Sequence, residues 1–333
     1  MNNIAIIDIG SNSVRIRISS NGNVFFRDTI TTRLAEGMKD GKLAYKSVIR
    51  TFEGLDRLIF KAKKCGADIF AFATAAVRNS VDGKEFTDEF FCRYGIAVDV
   101  LSGEAESETG INGAIGNGDG LVIDVGGAST EIAVRENGKI VYAHSVPVGA
   151  VLLTDNAGKD FEKAKAFLAP IVGGFGIVPK IGCDGSGEKA SVNTSGSFES
   201  SGEHLCDGAD GSDDAGGSDC SGGKVYAIGG TATSISFMMS GDRAYDRDKN
   251  HGRIIDSNAL ATFCGLLYSM TSEEIEKRFN VPKKRAEIIH SGALILSTVL
   301  GYIGSDYAIV SENDNLEGYY DFVTGKKYGE AQK

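Results

Sequence analysis

The chain has 333 residues, 42% of them hydrophobic, with 45 acidic and 35 basic side chains and a net charge of −10. This length suggests two domains and leaves apolar material for two cores. The longest apolar runs are too short to span a bilayer, and neither a membrane nor a nucleic acid is an expected partner.

The N-terminus runs straight into a strand with no charged leader, which predicts a cytoplasmic protein. Asn3 to Thr32 reads as three strands, IAIIDI, VRIRIS and VFFRDTIT, split by SNS and by NGN, where Asn21-Gly22 is a hairpin signal. Tyr45 to Lys64 has apolar residues at helical spacing, with Gly66 as the stop. Asp68 to Thr74 reads as a short buried strand, followed by Arg78 in a loop. A helix over Phe86–Tyr94, a strand over Ile96–Leu101 and a helix opened by Ser102 complete the first half. Strands alternating with helices predict an α/β fold.

A second run begins at Leu121, with a further strand over Lys139–Val148 and a helix over Phe161–Leu168. From Cys183 to Gly223 there are ten Gly, nine acidic residues and one Lys, so this stretch carries −8 (1 − 9) of the net −10. It has too few apolar groups to offset its ordering entropy and is expected to be a disordered surface insertion. Order resumes at Val225 with a strand, a Gly-rich turn and a helix. Helices near Ser257–Met270, Ser272–Arg278 and Pro282–Tyr302 and a strand over Tyr307–Ser311 follow. The six cysteines form no CxxC pair and read as reduced thiols, with Cys65, Cys92 and Cys264 as core or inert positions. Cys183, Cys206, Cys220 and His204 match no metal spacing and receive no function. His290, in IIHSGALIL, is read as core, with Gly292 permitting close helix packing.

The chain contains one pattern twice. IAIIDIGSNSVRIRI (Ile4–Ile18) and LVIDVGGASTEIAV (Leu121–Val134) are each an apolar run, an Asp, a turn of small residues and a second apolar run. Strand–turn–strand is the expected local fold. The turns would present backbone N–H groups, an anion cradle, with Asp8 and Asp124 beside it to hold a divalent metal on the same anion. A single such Asp is usually a turn cap; two copies in matching contexts point to a phosphate site.

At DIGSNS, DVGGASTE and AIGGTATS the sequence resembles the phosphate and adenosine motifs of the actin/Hsp70/sugar-kinase superfamily. ATAAVRNS (Ala73–Ser80), LSGEAESETG (Leu101–Gly110), RAEIIHSGALIL (Arg285–Leu296) and VSENDNLEG (Val310–Gly318) resemble segments of the exopolyphosphatase / guanosine pentaphosphate phosphohydrolase family. The likeness spans nearly the whole chain, in the family's order. It departs at Ala105, where the family has a second acid, at Ala128 in place of a third Gly, and at Leu316 in place of an Arg.

The resemblance implies two actin-like (ribonuclease H-like) α/β domains around a cleft, residues 1–117 and 118–333, with the insertion in the second and the segment from about 315 returning to the first. It implies Mg²⁺-dependent hydrolysis of a terminal phosphoanhydride, on inorganic polyphosphate or guanosine pentaphosphate, and a homodimer. Glu106 would act on the attacking water. Ser11, Asn12 and Ser13, with Gly126, Gly127, Ser129 and Thr130, would supply phosphate donors, and Arg78 a multidentate cation. Asp8, Asp124 and Glu131 would hold the metal. Gly229, Gly230 and Thr231, where a strand becomes a helix, would take the distal phosphates or a guanosine. Bland readings stand beside these. Glu106 lies with Glu104 and Glu108 at a helix start, where acids complement the dipole. Arg78 could be a solvated loop residue, Gly229–Thr231 a plain turn, and Arg15 and Arg17 a solvated sheet face, with Arg15 near enough to the first turn to assist. Two other functions remain open: an ATP-dependent kinase or ATPase of the same superfamily, and a polyphosphate- or alarmone-binding sensor.

Overall fold

Each copy of the repeated pattern becomes the centre of its own sheet in the computed structural model, which describes residues 3–180 and 223–326. The expected insertion and its cysteines and histidine lie outside the described residues. In the first sheet β1 (Asn3–Ile9) pairs antiparallel with β2 (Ser13–Ser20), which pairs with β3 (Asn23–Thr31). On its other side β1 runs parallel to β4 (Ala67–Ala73), and β4 to β5 (Val98–Val100), giving the order β3-β2-β1-β4-β5. The second sheet repeats this. β6 (Gly120–Val125) pairs antiparallel with β7 (Thr130–Glu136), β7 pairs with β8 (Lys139–Val146), and β6 runs parallel to β9 (Val225–Ile228). The short edge strand β10 (Ile254–Asp256) and β11 (Tyr307–Val310) extend it to β10-β11-β9-β6-β7-β8.

The same turn chemistry closes both outer hairpins. Asn21-Gly22 between β2 and β3 and Asn137-Gly138 between β7 and β8 all have positive φ, the conformation a two-residue turn needs to match strand twist. Asp119 accepts from the N–H groups of Asn137 and Gly138 at 2.9 Å each.

The first half carries α1 (Tyr45–Lys64), α2 (Ala75–Arg78), α3 (Gly83–Tyr94) and α4 (Gly103–Ile115). The helix α1 has the bounds its periodicity predicts, and its chain turns off through Gly66 at φ +61°. Arg78, expected in a loop, instead ends the single helical turn α2. The second half carries α5 (Ala150–Ala157), α6 (Phe161–Val172), α7 (Gly229–Ser240), α8 (Arg247–Asn250), α9 (Ser257–Ser269) and α10 (Ser272–Phe279). The helix expected over Pro282–Tyr302 is two, α11 (Lys283–Ala286) and α12 (Ile289–Ile303), because Ile288 leaves helical geometry at ψ −11°. A last helix, α13 (Asn315–Val323), packs on α4 and β1 and seals Leu316 and Tyr319 against Ile6 and Phe72.

Each sheet has its own apolar core. Ile7, Ile9, Val14, Ile16 and Leu55 belong to the first, and Ile123, Ile132, Leu168, Ile295 and Leu300 to the second. Ala128, Ala150, Val151 and Ile288 come from second-sheet elements yet pack into the first core. His290 is buried on α12, and a Cβ at Gly292 would come within 2.6 Å of Thr231, so both positions are core. Cys264 is buried and Cys65 partly so, but Cys92 is exposed and fills no core. No helix among the described residues is long and apolar enough to cross a membrane.

Candidate active site

The two repeated turns close in the same way. Gly10 N–H donates to Ser13 O at 3.0 Å, and Gly126 N–H donates to Ser129 O at 3.0 Å. They also meet each other: a Cβ on Gly127 would stand 3.0 Å from Asn12 N and Ser11 Cβ. A side chain here would force one turn to give by a few tenths of an ångström, so glycine favours this approach, and the Asp8 and Asp124 hairpins line one cleft of about 560 Å³. The N-terminus of α5 docks behind the second turn, with Ala150 N–H donating to Gly126 O and Val151 N–H to Gly127 O, both at 2.9 Å.

Register decides what each aspartate faces. Asp8 stands opposite Arg15 across the β1–β2 ladder, and Arg15 Nε donates to Asp8 Oδ2 at 2.8 Å. The other arm of Arg15 pairs with Asp314 at the N-cap of α13. Asp124 stands opposite Glu131 in the equivalent β6–β7 pair, where the facing group is a second acid. Its Oδ2 accepts from Asn315 Nδ2 at 3.0 Å. Burial, reinforced by Asp314, Glu106 and Asp8 against the opposing pull of Arg15, pushes Asp124 up to about 8. Burial and the repulsion of Glu106 and Asp124 push Glu131 well above the usual carboxylate range. Burial also raises Asp8, against the pull of Arg15.

Glu106 separates from its neighbours on α4. Glu104 and Glu108 are exposed, as dipole-complementing acids are, whereas Glu106 is 6% exposed and lines the cleft. Arg78 Nη1 donates to Glu106 Oε2 at 2.6 Å and to Leu101 O at 2.8 Å. Burial lifts Glu106 to about 7, with Arg78 as the main opposing influence.

Of the residues expected at the site, Asp8, Ser11, Asn12, Ser13, Glu106, Asp124, Gly126, Gly127, Ser129, Gly229, Gly230 and Thr231 line the cleft. Arg78, Thr130 and Glu131 do not. Thr130 is fully buried with its hydroxyl donating to Val148 O at 2.6 Å; Glu131 sits behind Asp124, accepting from Ser145 Oγ at 2.7 Å; Arg78 reaches the cleft only through Glu106. Gly229, at φ +76°, leaves room for Asp124 Oδ1, which a Cβ would approach to 2.5 Å. The apolar Leu316 belongs to a core cluster, and Ala128 packs in the first core without disturbing its turn.

Three cleft residues lie within segments that carry the family resemblance but receive no role from the sequence. Arg285, which precedes the EIIHSG run, lies against Gly230 with no ion pair among the described residues; burial and the cations Arg15 and Arg33 lower it to about 10. Asp314 and Asn315, within the DNLEG segment, supply the partners of Arg15 and Asp124.

Divalent-metal binding has support in the donor set. Asp8 Oδ1 and Glu131 Oε2 are buried oxygens without a hydrogen-bond partner, and the acids around Asp124 repel one another. Among the described residues no three acidic, His or Cys side chains are disposed to hold an ion by themselves. A cation here would complete its shell with phosphate and water oxygens, the habit of Mg²⁺.

The family profile of the Ppx/GppA phosphatase family matches residues 16–168. The chain is 26% identical to a bifunctional 3-dehydroquinate synthase/phosphatase of Fusobacterium nucleatum, over 94% of this chain and 45% of the relative, so it spans under half of that protein. It is 24% identical to exopolyphosphatase 2 of Mycobacterium tuberculosis, over 95% of this chain and 96% of the relative. The crystal structure of the Aquifex aeolicus member of the Ppx/GppA protein family superposes with a TM-score of 0.70 at 22% identity, covering 98% of both chains. That likeness shows the two-sheet α/β fold.

Proposed function

We propose, from the chain's similarity to the Ppx/GppA phosphatase family, that it hydrolyses the terminal phosphoanhydride of inorganic polyphosphate with Mg²⁺ in the cytoplasm. The observation that carries this reading is one buried carboxylate, Glu106, in a cleft built from two touching aspartate hairpins. Phosphoanhydride hydrolysis needs an in-line water, neutralised charge and accurate placement rather than covalent chemistry. The turn N–H groups of Ser11–Ser13 and Gly126–Ser129 would seat the terminal phosphoryl group, with Arg15 and Arg285 as flanking cations. Glu106 would orient the water and take its proton. Arg78, which now holds Glu106, would turn part of its guanidinium to a phosphoryl oxygen, and its planar set of donors suits that bridging role. Asp124 and the free oxygen of Asp8, with Glu131 behind, would hold Mg²⁺, which when bound supplies charge neutralisation at the bridging oxygens.

The test is phosphate release from polyphosphate and from guanosine pentaphosphate by native protein and Glu106→Gln. Loss of the base is expected to lower the rate by about 10³-fold while binding persists. Equal rates in the two proteins would remove Glu106 from the mechanism. Nucleotide-dependent transfer to an acceptor, or binding without turnover, would replace hydrolysis by a kinase or a sensor. Faster release from guanosine pentaphosphate would move the preferred substrate to the alarmone.

A further inference from the structure

We propose that a second anion site adjoins the cleft and takes the distal phosphates of an inorganic polyphosphate chain; the choice of ligand rests on the polyphosphate reading above. Arg27 and Arg247 line both the cleft and a neighbouring cavity of about 530 Å³, so the two spaces adjoin across these side chains. Arg17 and Glu317 also line the second cavity.

Strand geometry sets out the cations. Arg15 and Arg17 lie on one face of β2, two residues and so about 7 Å apart. Arg15 is opposite Asp8, inside the cleft, and Arg17 is one step outward. Arg17 in turn faces Arg27 directly across the β2–β3 ladder. Like charges in that position destabilise a sheet.

One carboxylate serves both. Glu317 pairs with Arg27 and stands 3.9 Å from Arg17. Arg17 is 4% exposed, and its Nε and Nη1 have no hydrogen-bond partner. The Tyr320 ring, 4.0 Å from its guanidinium carbon, fixes its plane. Three arginines and Glu317 line the cavity; Arg247 stands 3.8 Å from Glu312 on the cleft side and donates to Asn313 Oδ1 at 2.7 Å, so three cations meet two acids and one positive charge is left over. The excess cation, repeated outward from the catalytic turns, suits a ligand with a charge on every unit.

The experiment is calorimetric binding of long-chain polyphosphate, tripolyphosphate and guanosine pentaphosphate to native protein, Arg27→Ala, Arg247→Ala and Glu317→Gln. The long-chain to tripolyphosphate affinity ratio is expected to fall at least about five-fold in each arginine variant, because each loses a charge-assisted contact. It is expected to rise in Glu317→Gln, where Gln keeps the capping position of α13. A ratio within about two-fold of native in Arg247→Ala, or an equal loss for guanosine pentaphosphate, overturns the site. Phosphate release is read in parallel. No release with an intact affinity ratio would refute the hydrolase reading and leave the anion site standing.

Discussion

The two aspartate hairpins share strand order, turn closure and register, and the telling difference is the residue opposite the aspartate. Asp8 faces Arg15 and Asp124 faces Glu131. A duplicated framework therefore has one half paired with a fixed cation and another in which burial and two facing acids hold the carboxyls well above their ordinary range. On the proposed function the two copies would divide labour: the first would position a cation for phosphate, and the second would offer carboxyls that a bound metal would ionise and balance.

The largest way to break this comparison is to neutralise each aspartate in turn. In Asp124→Asn the cation-dependent phosphate release should fall by at least about 10²-fold, the scale of losing a metal ligand or its electrostatic equivalent. Above about pH 8, where the Asp124 carboxyl ionises, the same change should stabilise the cation-free protein in thermal unfolding, because burial and the repulsion of Asp314, Glu106 and Asp8 disfavour the charge it removes. Asp8→Asn should do the opposite and cost about 2 kcal/mol, since it removes one of the two acids on a largely buried arginine. Equal destabilisation by both would mean that the asymmetry has no energetic content.

Next in size is the contact between the turns. Gly127→Ala places a methyl 3.0 Å from Asn12 N and Ser11 Cβ, so one turn must shift. A loss of about 1–2 kcal/mol and a larger loss of phosphate release are expected, measured by denaturant unfolding and by initial rates. Gly158→Ala is a useful control: its Cβ would meet open space, and its cost should come from backbone strain at φ +58° alone, with little change in rate.

A smaller effect concerns pH. Glu106 must be ionised to accept a proton, and its carboxyl sits near 7. The rate at low substrate should therefore fall as pH drops below about 7. Arg78 pulls that carboxyl down, so Arg78→Ala should move the acid limb to higher pH. A limb that stays in place would separate Arg78 from the ionisation of Glu106.

Much of this was legible in the sequence, for physical reasons that also explain the rest. The hairpins follow from period-two apolar runs and their Gly-rich turns, and α1 from an apolar stripe that ends at a glycine. The cleft residues within the turns were legible because backbone geometry ties them to the Asp. Arg285 was not, since it reaches Gly230 from α11 and only tertiary packing brings them together. Thr130 looked like a phosphate donor because sequence does not reveal that its hydroxyl is consumed by Val148 O. The Asn137-Gly138 turn carried the same signal as Asn21-Gly22 and was readable by the same rule. Leu316, a departure from the family pattern, becomes intelligible only with Ile6 and Phe72 around it.

The most direct test is the thermal shift produced by Mg²⁺ in native protein, Asp8→Asn and Asp124→Asn, at saturating cation and without phosphate. The asymmetry between the hairpins predicts a clear rise in native protein, a reduced rise in Asp8→Asn and almost none in Asp124→Asn. An undiminished rise in Asp124→Asn would contradict the assignment of the second hairpin as the cation-binding half.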